Sequence, residues 1–161
     1  VDRFRQGQAA QPERLDLRVL LGSLQRSVAC LAPEVDVAVD VGDGTPVLFV
    51  PRIEFEQVVM NLCLNSVKAM EAGGRLTLSV RPAGTHSLVL AVCDTGCGIP
   101  EADLPQIFEP FFTTRRESGG TGVGLANVRQ IVDRWKGKIE VDSTVGQGTC
   151  VRLVVPAQAV S

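Results

Sequence analysis

Two asparagines four residues apart, Asn61 and Asn65, stand in a stretch whose apolar residues recur at helical spacing. The chain has only three asparagines, and asparagine is a poor helix former, so the placement asks for a reason. A separation of four puts both amides on one helix face. An amide carbonyl can ligate Mg²⁺ without adding charge, and its NH₂ can donate to a phosphate oxygen. Glu54, Gln57 and Lys68 continue the stripe, and a solvated helix face would show the same pattern. A second candidate is Asp94, which closes a strand-like run and leads into Thr95, Gly96, Cys97, Gly98, Ile99 and Pro100. A carboxylate there can accept from an exocyclic amine such as adenine N6, and the glycines let the backbone approach a flat ring. The simpler reading is an Asp-Thr-Gly turn. A paired aspartic-protease site would need a second such triplet, and Asp142-Ser143 is followed by Thr144.

The run Gly119, Gly120, Thr121, Gly122, Val123, Gly124, Leu125 opens a helix-like segment. Glycines feeding a helix N-terminus expose unpaired N–H groups toward an anion. No Gly-Lys-Ser/Thr follows, so this is not a Walker A loop, and no clear strand precedes it as a dinucleotide fingerprint requires. Phe108, Phe111 and Phe112 crowd beside Thr113, Thr114, Arg115 and Arg116. Aromatic anchors with a basic tip suit a lid that orders over a phosphate chain, and they would equally suit core packing.

The elements that must position these residues follow from periodicity. Asp16 can cap a helix whose apolar positions are Leu17, Leu20, Leu21, Leu24, Val28 and Leu31. Val35, Val37, Val39 and Val41 alternate as in a strand with one solvated face, and Val47–Val50 reads as a short second strand after the turn at 42–46. A helix is expected from Arg52 to Met70, ended by Gly73 and Gly74. Residues 75–81 and 86–93 read as a hairpin, and 105–120 lack clean periodicity and are expected to be mobile. A helix over 122–135 and a strand pair over 138–141 and 149–154 complete the chain. Strand pairs alternating with helices predict an α+β, two-layer sandwich: a mixed five-stranded sheet with three main helices on one face and a mobile lid. Residues 1–14 read as a remnant of an upstream helix and a linker, 15–156 as the domain, and 157–161 as a loose tail.

The whole chain of 161 residues is 45% hydrophobic with a net charge of -2, so it is expected to fold, and nothing in it suggests a polyanion-binding surface or nucleic-acid binding. No apolar run reaches the roughly 18 residues of a membrane span. The five cysteines, mostly within apolar patterns, are expected to be buried thiols of a reducing compartment. The first residue is not Met, and the sequence reads as a piece of a longer chain.

Taken in order, these motifs resemble the catalytic and ATP-binding domain of sensor histidine kinases, in the superfamily shared with type II topoisomerases, Hsp90 and MutL. Glu56–Met70 resembles the N box, Asp94–Pro100 the first glycine box, Phe108–Thr114 the F box, and Gly119–Val128 the second glycine box. Residues 143–156 resemble the closing strand pair, with Gly146, Gln147, Gly148 and Thr149 as the last glycine motif. The Phe-Phe-Thr-Thr-Arg and Gly-Gly-Thr-Gly forms look most like the nitrogen-regulation and C4-dicarboxylate sensors. The resemblance implies Asn65 as Mg²⁺ ligand with Asn61 in support near the phosphates, and Lys68 near the phosphates or on the ribose side. It implies Asp94 as acceptor for adenine N6, Gly98 bordering the ring, Gly96 and Ile99 among the nucleotide-binding residues, and Thr149 helping to hold the adenine end. Gly120, Thr121, Gly122, Val123, Gly124 and Leu125 would hold phosphates, and Arg115 would be the basic lid residue. ATP and Mg²⁺ are the implied ligands. The implied partners are an upstream dimerising domain carrying the acceptor histidine and a response-regulator receiver domain. The parent is expected to be a homodimer, the isolated chain a monomer, and the domain cytoplasmic. The one histidine, His86, is in no acceptor-like context. Asn61 replaces the water-activating glutamate of the ATPase relatives, which argues against an ATPase. A degenerate kinase domain that only senses nucleotide would carry the same motifs without transfer, and a purely structural interaction domain would leave the glycine boxes without a task.

Overall fold

The computed structural model describes residues 11–109 and 124–158. Their elements are β1 (Glu13–Arg14), α1 (Leu17–Leu31), β2 (Val35–Val41), β3 (Phe49–Val50), α2 (Arg52–Ala69), β4 (Gly74–Pro82) and β5 (Ser87–Asp94). A 3-10 helix (Glu101–Gln106), α3 (Gly124–Arg134), β6 (Lys138–Thr144) and β7 (Gly148–Pro156) follow. Five strands form one mixed sheet in the order β2-β4-β5-β7-β6. Only β2–β4 is parallel, because α2 carries the chain between them; the other pairs are antiparallel. This is the expected two-layer sandwich.

The helices form because their apolar residues line one side. Asp16 caps α1, accepting the Val19 N–H at 3.3 Å, and Leu17, Leu20, Leu21, Leu24 and Val28 are buried. In α2, Phe55, Val58, Val59, Leu62, Cys63 and Ser66 are buried, and in α3 Ala126, Val128, Ile131 and Val132. They meet the alternating inward residues of the strands, among them Leu76, Leu78, Val80, Leu88, Leu90, Val92, Leu153 and Val155. The other sheet face carries cross-strand ion pairs: Arg75 with Asp36, Arg81 with Asp40, and Arg152 with both Glu140 and Asp142. The Arg81 guanidinium holds the Asp40 carboxyl below its usual range. Exposed pairs of this kind add little stability.

One expectation changes, and two strand pairings settle what the sequence left open. The segment at 47–50 does not enter the main sheet: β3 pairs antiparallel with β1, inside the stretch the sequence suggested as linker. Val47 instead bridges to Gln158, beyond the expected end of the domain. Pro46 and Pro51 flank this segment, removing ladder donors and keeping it short. The cysteines are not uniformly buried thiols either. Cys63 is buried, Cys30 and Cys97 are exposed, and Cys93 and Cys150 are joined as a disulfide. The cause is register: β5 and β7 set Cys93 opposite Cys150 on one rung.

Candidate functional site

Leu88, Leu90 and Val92 are buried and alternate along β5, so Asp94, two residues on, falls on the helix-facing side at the strand's end. Its Oδ1 accepts the backbone N–H of Gly96 at 2.9 Å and of Thr149 at 3.2 Å. One carboxylate oxygen is therefore held by the backbone. Among the described residues Oδ2 shows no protein partner, which leaves it to accept from a ligand. Thr149 is its rung partner in β7 and is buried.

A hydroxyl network lies next to this pair. Ser143, in β6, accepts the Ile99 N–H at 2.7 Å and lies 2.7 Å from the Thr149 hydroxyl; it also reaches the Gly148 carbonyl at 3.2 Å. The Gly146 N–H donates to the Cys97 carbonyl at 2.8 Å, so the turn between β6 and β7 is laced to the turn after Asp94. Gly98 adopts φ +79°, and a Cβ there would collide with the Thr144 carbonyl. No other residue fits that position without strain.

The same turn rests on α2 from the other side. The Cys97 N–H donates to the Ala69 carbonyl at 3.0 Å, and a Cβ on Gly96 would lie 2.6 Å from that oxygen. Two turns back along α2, the Asn61 amide NH₂ donates to the Gly124 carbonyl at 3.4 Å, at the start of α3. Helix α2 thus joins the Asp94 turn to Gly124 at the start of α3, and Asn65 lies between the two contacts, half-buried. Lys68 is exposed beyond it. Among the described residues no group of three or more His, Cys, Asp or Glu could hold a metal ion. A cation would depend on an amide oxygen and on a ligand's own oxygens, and Mg²⁺ accepts such a set.

The sequence-derived candidates Asp94, Gly96, Gly98, Ile99 and Thr149 are brought into one cluster, and Asn61 meets Gly124. Leu125 is half-buried against the core. Arg115, Gly120, Thr121, Gly122 and Val123, with most of the phenylalanine-rich segment, lie outside the described residues. Glu54 leaves the polar stripe: it accepts from Arg134 at 3.0 Å and from the Trp135 indole N–H at 2.9 Å, tying α2 to the end of α3. Two contributors went unseen in the sequence, Ser143 and the Ala69 carbonyl. The hydroxyl six residues before Thr149 in a hairpin was the available signal for Ser143. A backbone carbonyl leaves none. Two clefts, about 580 Å³ around the start of α1 and about 460 Å³ beside Trp135 and β3, lie elsewhere.

Comparison with known proteins sets this geometry in context. A family profile described as histidine kinase-, DNA gyrase B-, and HSP90-like ATPase matches residues 51–159. The sensor kinase CckA of Brucella abortus is 37% identical over 95% of this chain and 18% of its own length. The adaptive-response sensory kinase SasA of Crocosphaera subtropica is 38% identical over 73% of this chain and 31% of its own. The chain therefore spans less than a third of either curated relative. The structure of a mycobacterial sensor histidine kinase, MprB, superposes with a TM-score of 0.81 at 25% identity, covering 92% of this chain and 99% of that one.

Proposed function

The chain belongs to the histidine kinase-, DNA gyrase B- and HSP90-like ATPase family, and we propose that it is the ATP-binding catalytic domain of a two-component sensor histidine kinase. In this reading it transfers the γ-phosphoryl group of ATP to a histidine on an upstream helical domain, for relay to a response-regulator aspartate. The observation that carries the reading is Asp94. Its carboxylate is pinned through Oδ1 by two backbone N–H groups while, among the described residues, Oδ2 has no protein partner, as suits an acceptor for the adenine amino group.

From that anchor each residue has a task. Gly98 and Ile99 form the backbone wall beside the ring, held by Ser143, and Thr149 closes the adenine end. Asn61 ties α2 to the start of α3, where Gly124 and Leu125 follow Gly120, Thr121, Gly122 and Val123 as the phosphate segment. The Asn65 amide oxygen is the protein's ligand for Mg²⁺, which supplies charge neutralisation along the phosphates when bound. Lys68 and Arg115 add positive charge on the phosphate side. Asn61 carries no carboxylate to activate water, which favours transfer to a protein acceptor over hydrolysis.

The Phe-Phe-Thr-Thr-Arg and Gly-Gly-Thr-Gly segments favour a sensor of the nitrogen-regulation or C4-dicarboxylate type. His86, exposed and bonded to Thr85 near a hairpin turn, is not the acceptor. The parent is a homodimer through the upstream domain, and this domain works on the cytoplasmic side. Calorimetric titration with ADP, with and without Mg²⁺, tests the nucleotide site, and a separately supplied acceptor hairpin with labelled ATP tests transfer. No binding heat at millimolar nucleotide would end the reading.

A further inference from the structure

Cys93 and Cys150 are not used by the mechanism, yet they sit against its anchor. The last rung of the β5–β7 ladder is Asp94↔Thr149, the pair proposed to hold adenine, and the next rung inward is Cys93↔Cys150. The Cα atoms of the two cysteines are 4.0 Å apart, nearer the narrow rung of an antiparallel ladder (about 4.5 Å) than the wide one (about 5.5 Å). Successive strand residues point to opposite faces, so the sulfur atoms lie on the face away from the helices. Both residues are half-exposed there, beside the ion pairs of Arg152. Neither belongs to the buried core.

We propose that Cys93 and Cys150 form a reversible thiol–disulfide site that couples redox state to nucleotide affinity. The coupling rests on the adenine role assigned to Asp94 above. The reactant class is a low-molecular-weight disulfide. One cysteine thiolate attacks a reagent sulfur and expels a thiol, forming a mixed disulfide; the second cysteine displaces the other half. Two cysteine thiols lose two protons and two electrons, one S–S bond forms between the strands, and the reagent leaves as two thiols.

The physical link is fraying. A terminal rung has a neighbour on one side only, and strand ends open at lower free energy than the middle of a sheet. The Asp94 carboxylate spans this rung through the Thr149 N–H, and the Gly98 turn, which continues the chain from β5, is tied through Ser143 of β6 to Thr149 at the start of β7. A covalent bond one rung inward holds β5 and β7 together at that end. The oxidised domain therefore presents Asp94 and Thr149 already ordered, and preorganised groups lose less freedom on binding. Linkage makes the effect reciprocal: nucleotide must shift the thiol–disulfide balance toward the disulfide by the same factor.

The experiment equilibrates the chain with oxidised and reduced glutathione and maps the crosslinked peptide by mass spectrometry. ADP affinity is then measured by calorimetry for the oxidised and dithiothreitol-reduced protein, and for Cys93→Ala and Cys150→Ser. We expect the Cys93–Cys150 peptide in oxidised protein, ADP affinity roughly threefold or more higher than in reduced protein, and no redox dependence in either variant. The variants keep Cys97 and Cys30, so an effect of those thiols would persist in them and overturn the assignment. Failure of the crosslink to form in oxidised glutathione would overturn the redox site. A crosslink with equal ADP affinity in both states would overturn the coupling. A crosslink with no ADP binding in any form would instead overturn the nucleotide reading on which the coupling rests.

Discussion

The Ser143 hydroxyl accepts the backbone N–H of Ile99 at 2.7 Å, joining points 44 residues apart in the chain. The same oxygen lies 2.7 Å from the Thr149 hydroxyl. Having accepted from Ile99, it has one proton left, to give either to Thr149 or to the Gly148 carbonyl. Ser143→Ala leaves the half-buried Ile99 N–H without its partner. The expected cost is about 1 kcal/mol in stability. A looser adenine wall should weaken ADP as well. Ser143→Thr keeps the hydroxyl and should recover most of both. Thermal melts and ADP calorimetry on the two variants check this; unchanged ADP affinity in Ser143→Ala removes the residue from the wall.

Asp94→Asn keeps the size of the side chain and removes its charge. An adenine amine bonded to a carboxylate is worth about 1.5–3 kcal/mol. We expect ADP to bind about 2 kcal/mol more weakly and the preference for adenine over guanine to relax. Competition between ADP and GDP measures both, and equal affinity of the two proteins for ADP removes Asp94 from the site.

Asn65→Ala drops an amide without adding charge, and alanine raises helix propensity, so α2 should survive. Transfer from Mg-ATP to a supplied acceptor hairpin should fall by well over roughly tenfold, while adenosine-end binding stays near wild type. Circular dichroism controls for folding. Wild-type transfer by a folded variant would return the asparagine stripe to a solvated helix face.

Glu54 binds the Trp135 indole N–H and the Arg134 guanidinium, and Trp135 is buried. Glu54→Ala strands that indole donor, at an expected cost of about 2 kcal/mol. For a domain of this size the melt should drop by roughly 4–8 °C. Glu54→Gln retains an acceptor oxygen and should lose less. ADP affinity should stay unchanged in both, which separates this anchor from the site.

Burial pushes the Cys63 thiol up from its ordinary 9.0 to about 12. Above the ordinary value the unfolded chain gives up this proton while the folded chain keeps it. Stability from this residue is complete below that pH and falls as pH rises toward the folded value. The slope is about 1.4 kcal/mol per pH unit for one group. Denaturant melts of wild type and Cys63→Ala should diverge in slope above the ordinary thiol pKa; parallel curves would show that Cys63 contributes no such dependence.

Several residues of the candidate site were legible along the chain because their signals are short-range. Asn61 and Asn65 share a helix face through a spacing of four, and Asp94 follows the alternation of Leu88, Leu90 and Val92. The helices of α1, α2 and α3 and the five strands of the sheet followed from periods of 3.6 and 2, which the backbone imposes wherever an apolar side must be buried.

Tertiary structure alone decided which of these pieces touch. Val47–Val50 reads as an ordinary strand, but its pairing with β1 and Gln158 depends on segments far away in sequence. Glu54 continues the polar stripe, yet α3 packing turns it to Trp135. Cys93 and Cys150 look like two separate apolar-strand thiols until the β5–β7 register sets them on one rung, beside Asp94 and Thr149. Ser143 acquires its role only when the β6–β7 turn lies against Ile99. Local periodicity specifies which side of an element is buried. Partners along that side are chosen by register and packing, which depend on the whole chain at once.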